Sequence, residues 1–313
     1  HTKNTLHKVG CFCYAWGMKY LVAQNTHPKS KWEIDVLLTN LYSLDPKLEV
    51  VVLFAVDKPD DPVVDYIVRR WGDRAEIHAY MDTRRERMYV ASTRPFLWYC
   101  YLSEDPTREQ DTYFQIDTDV IFRRLPDWSK VELSESVWAG SDCASYINAD
   151  YIKGCSNGDE VLDNFARLIK VDRSVLERLE GAGAQWVLVK PTAEYWLKVQ
   201  SDCHKLSGYL DLTDSDIQKW CAEMWAQLFN APLFGAEYKI TPELDFCWAG
   251  DKIGRWHATT LLHNTGLSTS DNKDRAFDKT KYDDLPYDLD FSWVGEDLCS
   301  IEYVKALKKV VKE

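Results

Sequence analysis

The sequence predicts an α/β protein built on a largely parallel sheet of Rossmann type, flanked by helices. Two observations support this fold class. Short apolar segments of strand length alternate with segments of helical periodicity in the first part of the 313-residue chain, an order typical of right-handed βαβ units. The segment 48–56 is also continuously apolar, as expected of a strand that is covered on both faces.

Each element of the first part follows from a local pattern. The segment 32–44 has apolar residues at helical spacing and stops near Pro46. The next helix has Pro62 in its first turn, with acids at the positive end of its dipole. Pro95 is expected to kink a longer helix. The predicted order is strand 8–15, helix 32–44, strand 48–56, helix 60–70, strand 75–80, helix 86–102 and a strand that begins at Thr112.

The second half of the chain is less regular. Its predicted elements are strand 136–142, helices 159–171 and 174–179, strand 186–189, helices 192–200 and 215–229, strand 256–262 and helix 301–312. The polar, acidic segment 271–287 predicts a surface loop or a mobile flap. Because no repeat and no linker is visible, the sequence predicts one domain, 1–313, with halves 1–125 and 126–313.

The composition indicates a globular, acidic protein. The net charge of -12 argues against a broad nucleic-acid footprint, because phosphate binding requires clustered Lys and Arg. The nine cysteines lack zinc-site spacing and are interpreted as free thiols in a reducing compartment. No apolar stretch approaches the roughly 18 residues of a membrane span, and no signal peptide is visible. We therefore expect a cytoplasmic protein.

The chain is organised around an apolar run that two carboxylates interrupt. Asp117 and Asp119 divide the segment 112–122, whose branched and aromatic residues predict a buried strand. An unpaired buried carboxylate costs about 3–5 kcal/mol, so a cation is expected to meet these acids. In a turn at the strand end both would converge on one ion, and their hard oxygens suit Mg²⁺ or Mn²⁺. The alternative is a strand end with two solvated acids.

Other candidates follow strands that should end at the same edge of the sheet. Tyr14 and Ala15 close the first predicted strand, and Asp57 closes the strand 48–56. In doubly wound α/β sheets, ligands bind beyond the carboxyl ends of the strands. These residues and the acid pair are therefore expected to line one ligand site.

Two segments of the second half provide further candidates. The segment 181–185, Gly-Ala-Gly-Ala-Gln, precedes a predicted strand, and a turn of small residues lets a ligand approach the backbone closely. The alternative is an ordinary helix-to-strand turn. His263 follows the predicted strand 256–262 and opens a turn with Asn264 and Gly266. A lone histidine is usually structural, but a position at a strand end suits a ligand.

In order and spacing, these motifs resemble the GT-A fold of nucleotide-sugar-dependent glycosyltransferases, and the likeness covers most of the chain. The resemblance implies a Rossmann-type mixed sheet, a nucleotide-sugar-binding half 1–125 and an acceptor-binding half 126–313. It also implies that Asp119 and His263 bind Mn²⁺ or Mg²⁺ on the donor diphosphate, and that Asp117 acts on the metal through water or on the ribose. Similar compact enzymes occur in viruses, for which the host cytoplasm would be the compartment.

The resemblance further assigns contacts to the donor, preferably a uridine diphosphate sugar. The small-residue turn, with Gly181, Ala182, Gly183 and Gln185, would touch the donor sugar, although Gly181 stands where Asn is more usual. The remaining donor contacts are expected from Tyr14, Ala15, Asp57, Arg94, Asp117 and Thr118.

The need for a catalytic base depends on stereochemistry. An inverting enzyme needs a base within ~3 Å of the acceptor hydroxyl, whereas a retaining enzyme does not. By the same resemblance Glu223 is the leading candidate, with Asp216 and its neighbour Asp214 as rivals. The alternative for Glu223 is a solvated helix acid.

The predicted activity is transfer of a hexose or pentose to a glycan, a protein or a hydroxymethylated DNA base. The acidic balance favours a glycan or a protein. One alternative is a nucleotidyltransferase acting on sugar phosphates, but the segment 10–15 lacks the basic, Gly-rich loop expected there. The other is a non-catalytic sugar-binding protein, against which the intact acids and His263 count.

Overall fold

The computed structural model describes residues 17–267 and 272–311. Within them the chain forms ten strands and ten helices. The strands are β1 Met18–Asn25, β2 Glu49–Val56, β3 Glu76–Met81, β4 Thr112–Gln115, β5 Val120–Phe122, β6 Val137–Asp142, β7 Ala182–Val189, β8 Glu237–Ile240, β9 Phe246–Trp248 and β10 Leu261–His263. The helices are α1 Ser30–Leu44, α2 Pro62–Trp71, α3 Thr93–Glu104, α4 Ala149–Gly154, α5 Gly158–Ile169, α6 Arg173–Leu176, α7 Ala193–Asp211, α8 Ala222–Asn230, α9 Ile253–Ala258 and α10 Ser300–Lys308.

The main sheet has seven strands in the order β3-β2-β1-β4-β7-β6-β8. The first four of these run parallel to one another. β7 runs antiparallel to both β4 and β6, and β8 is parallel to β6. Helix α3 packs on β1 and β2, and α7 packs on α3 and α8. The predicted mixed, Rossmann-type sheet flanked by helices is therefore confirmed.

A second sheet of three strands, in the order β5-β10-β9, connects the two halves of the chain. β10 runs antiparallel to β5, and His263 is the register partner of Val120. The backbone N–H of Asn264 also donates to the carbonyl oxygen of Asp119 at 2.9 Å. This pairing holds the end of β10 against the residue that precedes β5, so His263 meets the acid pair.

The strand β1, in the interior of the main sheet between β2 and β4, was not predicted. β1 carries polar residues such as Lys19 and Gln24 among its apolar ones, which weakens the apolar pattern of a buried strand. The strand predicted at 8–15, with Tyr14 and Ala15, lies outside the described residues. β1 lies between β2 and β4 in the sheet. These two strands fall within the predicted apolar runs 48–56 and 112–122.

Several boundaries differ from the sequence prediction. Trp256 lies in α9, and the strand is confined to Leu261–His263, because a short apolar run fits either structure. The long helix begins at Thr93, so Pro95 lies in its first turn, where a missing N–H removes no helical hydrogen bond. Helix α8 begins at Ala222, after a 3-10 turn at Lys219–Cys221.

The remaining global expectations concern the membrane and the cysteines. Among the described residues, no helix combines the length and the apolar character that crossing a membrane requires. The cysteines described in the structure are free thiols, as predicted; Cys247 is buried and Cys100 is half-buried.

Candidate active site

The site centres on three side chains that the sequence nominated as metal ligands. Asp117 and Asp119 lie in the connection between β4 and β5, and His263 ends β10. The imidazole Nε2 lies 3.2 Å from Oδ2 of Asp117 and 3.3 Å from Oδ1 of Asp119. Only 24% of the Asp117 side chain and 8% of the His263 side chain are exposed. The acids thus converge in a turn rather than along an extended strand.

The donor set of this cluster fits a hard divalent ion. One ligand atom of each residue lies within 4.8 Å of the others. Carboxylate oxygens suit Mg²⁺ and Mn²⁺, and an imidazole nitrogen is a common companion ligand for transition metals such as Mn²⁺. Asp117, Asp119 and His263 would therefore hold a divalent cation.

The electrostatics of the cluster keep both acids ionised. Burial by itself would raise the pKa of each carboxyl. The pKa of Asp119 is nevertheless lowered, because Lys279 and His263 stabilise the carboxylate. Arg94 and His263 likewise lower the pKa of Asp117. Burial would lower the pKa of His263, but the carboxylates of Asp119 and Asp117 outweigh it and raise this pKa to about 9. At neutral pH the imidazole is therefore protonated, and a metal ion must displace that proton.

Lys279 approaches the acid pair from one side, and the sequence analysis did not nominate it. Its ammonium forms an ion pair with Asp119 and lies 3.5 Å from Oε1 of the buried Glu33. The segment 271–287 was predicted to be a surface loop or a flap, but Phe277 is fully buried and Asp278 is nearly so. The described residues 272–287 do form a loop with many exposed positions, as predicted, while the packing of Phe277 on Trp32 and Tyr303 anchors the part that carries Lys279.

Arg94 approaches from the other side and connects the acid pair to Glu223. It lies in the first turn of α3 and contacts Asp117, and its Nη1 lies 3.3 Å from Oε2 of Glu223. Glu223 is in the first turn of α8, with 3% of its side chain exposed. Burial raises the pKa of Glu223 and Arg94 opposes this effect, with burial prevailing. Glu223 is thus a buried acid rather than a solvated one, and its catalytic role stays a prediction.

Gln185 contacts His263 because of a bulge in β7. Its Nε2 lies 3.4 Å from the imidazole Nδ1. The register between β6 and β7 shifts between Gly140 and Ser141, and Ala184 adopts a positive φ of 51° on the other strand. A bulge reorients the side chains around it. The prediction that 181–185 forms a turn before the strand is therefore wrong, since β7 already begins at Ala182.

The glycines of this segment are explained by packing within the chain. A Cβ on Gly181 would lie 2.3 Å from the carbonyl oxygen of Ile147 and 2.4 Å from the Cα of Ala144. A Cβ on Gly183 would lie 2.6 Å from the methyl group of Met224. Contacts from Gly181, Ala182 and Gly183 to a donor sugar stay predictions.

Several buried polar groups around the cluster lack a partner in the described parts of the chain. Thr118 donates to Oε1 of Gln24 at 2.7 Å, yet the amide nitrogen of Gln24 is unpaired. Both polar atoms of the Asn264 side chain and Oε1 of Gln185 are also unpaired. Buried polar atoms are rarely left unsatisfied in native proteins. Their grouping around the acid pair points to a polar ligand at this position.

Other predicted residues lie apart from this cluster or outside the described chain. Asp216 is exposed and accepts a hydrogen bond from the backbone of Ser156 at 2.6 Å. Asp57 follows β2, as expected, but it is exposed and pairs with Arg87 at 2.6 Å. Tyr14 and Ala15 lie in the part of the chain that is not described.

The fold is similar to solved glycosyltransferase structures. The chain matches galactosyltransferase LgtC, solved in complex with donor and acceptor sugar analogs, over 95% of its own length and 97% of that chain, with a TM-score of 0.52 and 10% identity. It is also similar to the bifunctional glycosyltransferase WbbM, with a TM-score of 0.47 and 9% identity over 81% of this chain and 46% of that one. The chain therefore spans less than half of WbbM.

A third similar structure is a glycosyltransferase involved in the glycosylation of the major capsid of PBCV-1. The TM-score is 0.43 and the identity 9%, over 85% of this chain and 96% of that one. No protein-family model matches the sequence, and no curated protein sequence matches it either. The likeness to LgtC, together with the mixed sheet, establishes that the chain has the GT-A fold.

Proposed function

We propose that the protein is a metal-dependent glycosyltransferase that moves a sugar from a nucleoside diphosphate sugar to a hydroxyl group. The observation that carries the proposal is the convergence of Asp117, Asp119 and His263 at one point of a GT-A fold. A divalent ion held by these residues would supply Lewis-acid stabilisation of the departing diphosphate. We infer a uridine diphosphate sugar as the donor, on the strength of the family resemblance.

The surrounding side chains suit an anionic donor. Lys279 and Arg94 are buried cations on either side of the acid pair. A donor diphosphate brought to the site would offer Lys279 new oxygen partners in place of Asp119. The unpaired amides of Gln24 and Asn264 provide hydrogen-bond donors for sugar, ribose or phosphate oxygens.

Glu223 is our candidate for the group that accepts the proton of the acceptor hydroxyl. A raised pKa brings a carboxylate closer to the range in which general bases work best near neutral pH. Arg94 orients the Glu223 carboxylate and connects it to Asp117. Asp216 is the weaker candidate, because its carboxylate is exposed and accepts a hydrogen bond from the backbone N–H of Ser156.

The acceptor is proposed to be a glycan or a protein. A hydroxymethylated DNA base stays a less favoured acceptor, because the net charge of -12 repels a phosphate backbone. Among the alternatives, a nucleotidyltransferase would require a nucleoside triphosphate and a sugar phosphate. A sugar-binding protein without activity would bind without turnover.

Nucleotide-sugar hydrolysis tests the proposal. The purified protein is incubated with uridine, guanosine and cytidine diphosphate sugars, with Mn²⁺, with Mg²⁺ or with a chelator, and the released nucleoside diphosphate is measured. We expect metal-dependent release with a preference for one base. Asp119→Asn should lose it, and Asp150→Asn, at an exposed acid that pairs with Lys153, should keep it. Release that is absent, or indifferent to both the metal and Asp119→Asn, would refute the proposal.

A further inference from the structure

Trp220 presents an exposed indole beside the buried acid Glu223. It lies in the 3-10 turn Lys219–Cys221, directly before α8, and 60% of the residue is exposed. Trp225, in the helix that follows, is fully buried. The chain therefore puts one tryptophan into the core and leaves the other at the surface within a few residues.

A hydrogen-bonded tyrosine fixes the position of Trp220. The hydroxyl of Tyr89 donates to the carbonyl oxygen of Trp220 at 2.6 Å and accepts from the backbone N–H of Glu223 at 2.8 Å. The two rings meet edge to face, with centroids 6.1 Å apart and planes inclined by 69°. The Tyr89 hydroxyl both donates and accepts a hydrogen bond, so it ties the backbone of Trp220 to the first turn of α8. The ring of Tyr89 packs against the indole.

This pair of aromatic rings is connected to the candidate metal ligands by consecutive contacts. The carboxylate of Glu223 lies 3.3 Å from Arg94, and Arg94 contacts Asp117. Trp220 is thus connected through Tyr89 to Glu223, the residue that our proposed function assigns to the acceptor hydroxyl.

We propose that Trp220, supported by Tyr89, is the stacking surface for the acceptor, and that the acceptor is a pyranoside whose apolar face covers the indole. The inference rests on the proposed function, because it takes Glu223 as the residue that meets the acceptor hydroxyl. A pyranose ring has a face of C–H groups and a rim of hydroxyls, and the negative face of an aromatic ring attracts the weakly positive C–H groups. The rim hydroxyls would then point toward polar groups such as Glu223.

A nucleobase would also stack on an indole, but it fits this surface less well. The segment leading to Trp220 carries the acids Asp211, Asp214 and Asp216 against Lys219. The basic run 84–87 precedes Tyr89, but its Arg84 pairs with Asp82 and its Arg87 with Asp57. A phosphodiester backbone binds through clustered positive charge. The local charge therefore favours a neutral glycoside.

Fluorine NMR of protein labelled with 5-fluorotryptophan tests the inference without using catalysis. The resonance of Trp220 is identified by its loss in Trp220→Phe. The probes are methyl glycosides of glucose, galactose, mannose and xylose, together with lactose and an oligonucleotide that contains hydroxymethylcytosine. Glycosides at up to about 50 mM reveal dissociation constants of a few millimolar. We expect a saturable shift of the Trp220 resonance with at least one glycoside, and no shift of Trp293, an exposed tryptophan in another segment.

Variants sharpen the result. Trp220→Ala should weaken binding of that glycoside about tenfold, a typical size for the loss of one aromatic contact, and Trp293→Ala should not. Metal-dependent hydrolysis of the donor should be unchanged in Trp293→Ala. Absence of a Trp220 shift with every glycoside, an equal shift of Trp293, or a shift with the oligonucleotide alone would overturn the inference. Glycoside binding at Trp220 in a protein that hydrolyses no nucleotide sugar would instead refute the proposed function.

Discussion

Lys279 and Asp119 are 160 positions apart in the chain, yet their side chains form a largely buried ion pair. The ammonium satisfies a carboxylate that is also a candidate metal ligand. Because Lys279 additionally faces Glu33, it compensates two buried acids at once. The cation and a bound divalent ion would therefore compete for the same negative charge.

Replacing Lys279 by Met should separate these roles. The free energy of unfolding of the metal-free protein should fall by about 3 kcal/mol, since breaking a buried ion pair leaves charge uncompensated. Affinity for Mn²⁺ should rise, because a competing cation is gone, while affinity for uridine diphosphate in the presence of Mn²⁺ should fall. Denaturant unfolding and titration calorimetry measure these quantities. Lys281→Met, at an exposed lysine of the same 3-10 turn, is the control, and equal changes in both variants would contradict the assignment.

His263 should make the stability of the metal-free protein depend on pH. Its pKa is raised to about 9 in the folded state, against about 6.5 in an unfolded chain. The stabilisation is thus fully present below about pH 6.5 and is lost as the pH rises through about 9, with a ceiling of about 3 kcal/mol. Urea unfolding at several pH values should show this loss in the wild type and in His257→Gln, an exposed histidine. In His263→Gln it should be absent.

The same histidine predicts how metal binding responds to pH. Because Mn²⁺ must displace the imidazole proton, its affinity should increase as the pH rises toward 9. Calorimetric titrations in buffers of different ionisation enthalpy would count the released proton. A metal affinity that is the same at pH 6 and pH 8, with no proton released, would exclude His263 as a ligand.

Glu223→Gln should separate donor binding from transfer. Loss of a general base typically lowers the rate by about 10²–10⁴-fold, whereas binding of Mn²⁺ and uridine diphosphate should persist, because the acid pair and His263 are intact. Single-turnover transfer to a glycoside and calorimetric binding give the two readouts. Glu194→Gln, at an exposed acid in the first turn of α7, should behave as the wild type. Transfer at the wild-type rate in Glu223→Gln would remove this residue from the chemistry.

Local patterns predicted much of this fold, and long-range contacts explain what they missed. The continuous apolar run at 48–56 corresponds to the strand Glu49–Val56, and the helical periodicity at 32–44 corresponds to the helix Ser30–Leu44. Such patterns report burial of one face or both faces. The strand Met18–Asn25 was missed because its polar residues mask the pattern, although it is an interior strand that pairs with β2 and β4.

The candidate site was also predictable only in part. Asp117 and Asp119 interrupt an apolar run and are conspicuous in the sequence, and His263 begins a visible turn. Lys279 is one of 38 Lys and Arg residues in the chain, and its segment 271–287 holds three other basic residues beside five acids. Nothing local indicates that it is the one that reaches Asp119. Gln185 meets His263 only because Ala184 takes a positive φ in a bulge. Such contacts are set by tertiary structure rather than by spacing along the chain.

Asp35 anchors the C-terminal segment that contains Lys279. Its carboxylate is fully buried and accepts hydrogen bonds from Tyr66, Trp71 and Tyr287 at 2.6–2.7 Å. Tyr287 belongs to the same C-terminal segment as Lys279, and Asp35 lies on α1, as does Glu33. Asp35→Asn keeps the size of the side chain, but its NH₂ group cannot accept the two tyrosine hydroxyls that share Oδ2.

Asp35→Asn should therefore lower the free energy of unfolding by about 3 kcal/mol or more. The buried donors lose their acceptor, and Arg70, whose Nε lies 2.8 Å from Oδ1 of Asp35, loses its carboxylate partner. Nucleotide affinity should fall as well, because Lys279 is no longer held at the acid pair. Denaturant unfolding and binding of uridine diphosphate with Mn²⁺ measure the two effects, and Asp65→Asn, at an exposed acid of α2, is the matched control. A destabilised Asp35→Asn protein that binds the nucleotide as tightly as the wild type would show that Lys279 reaches the site without this anchor.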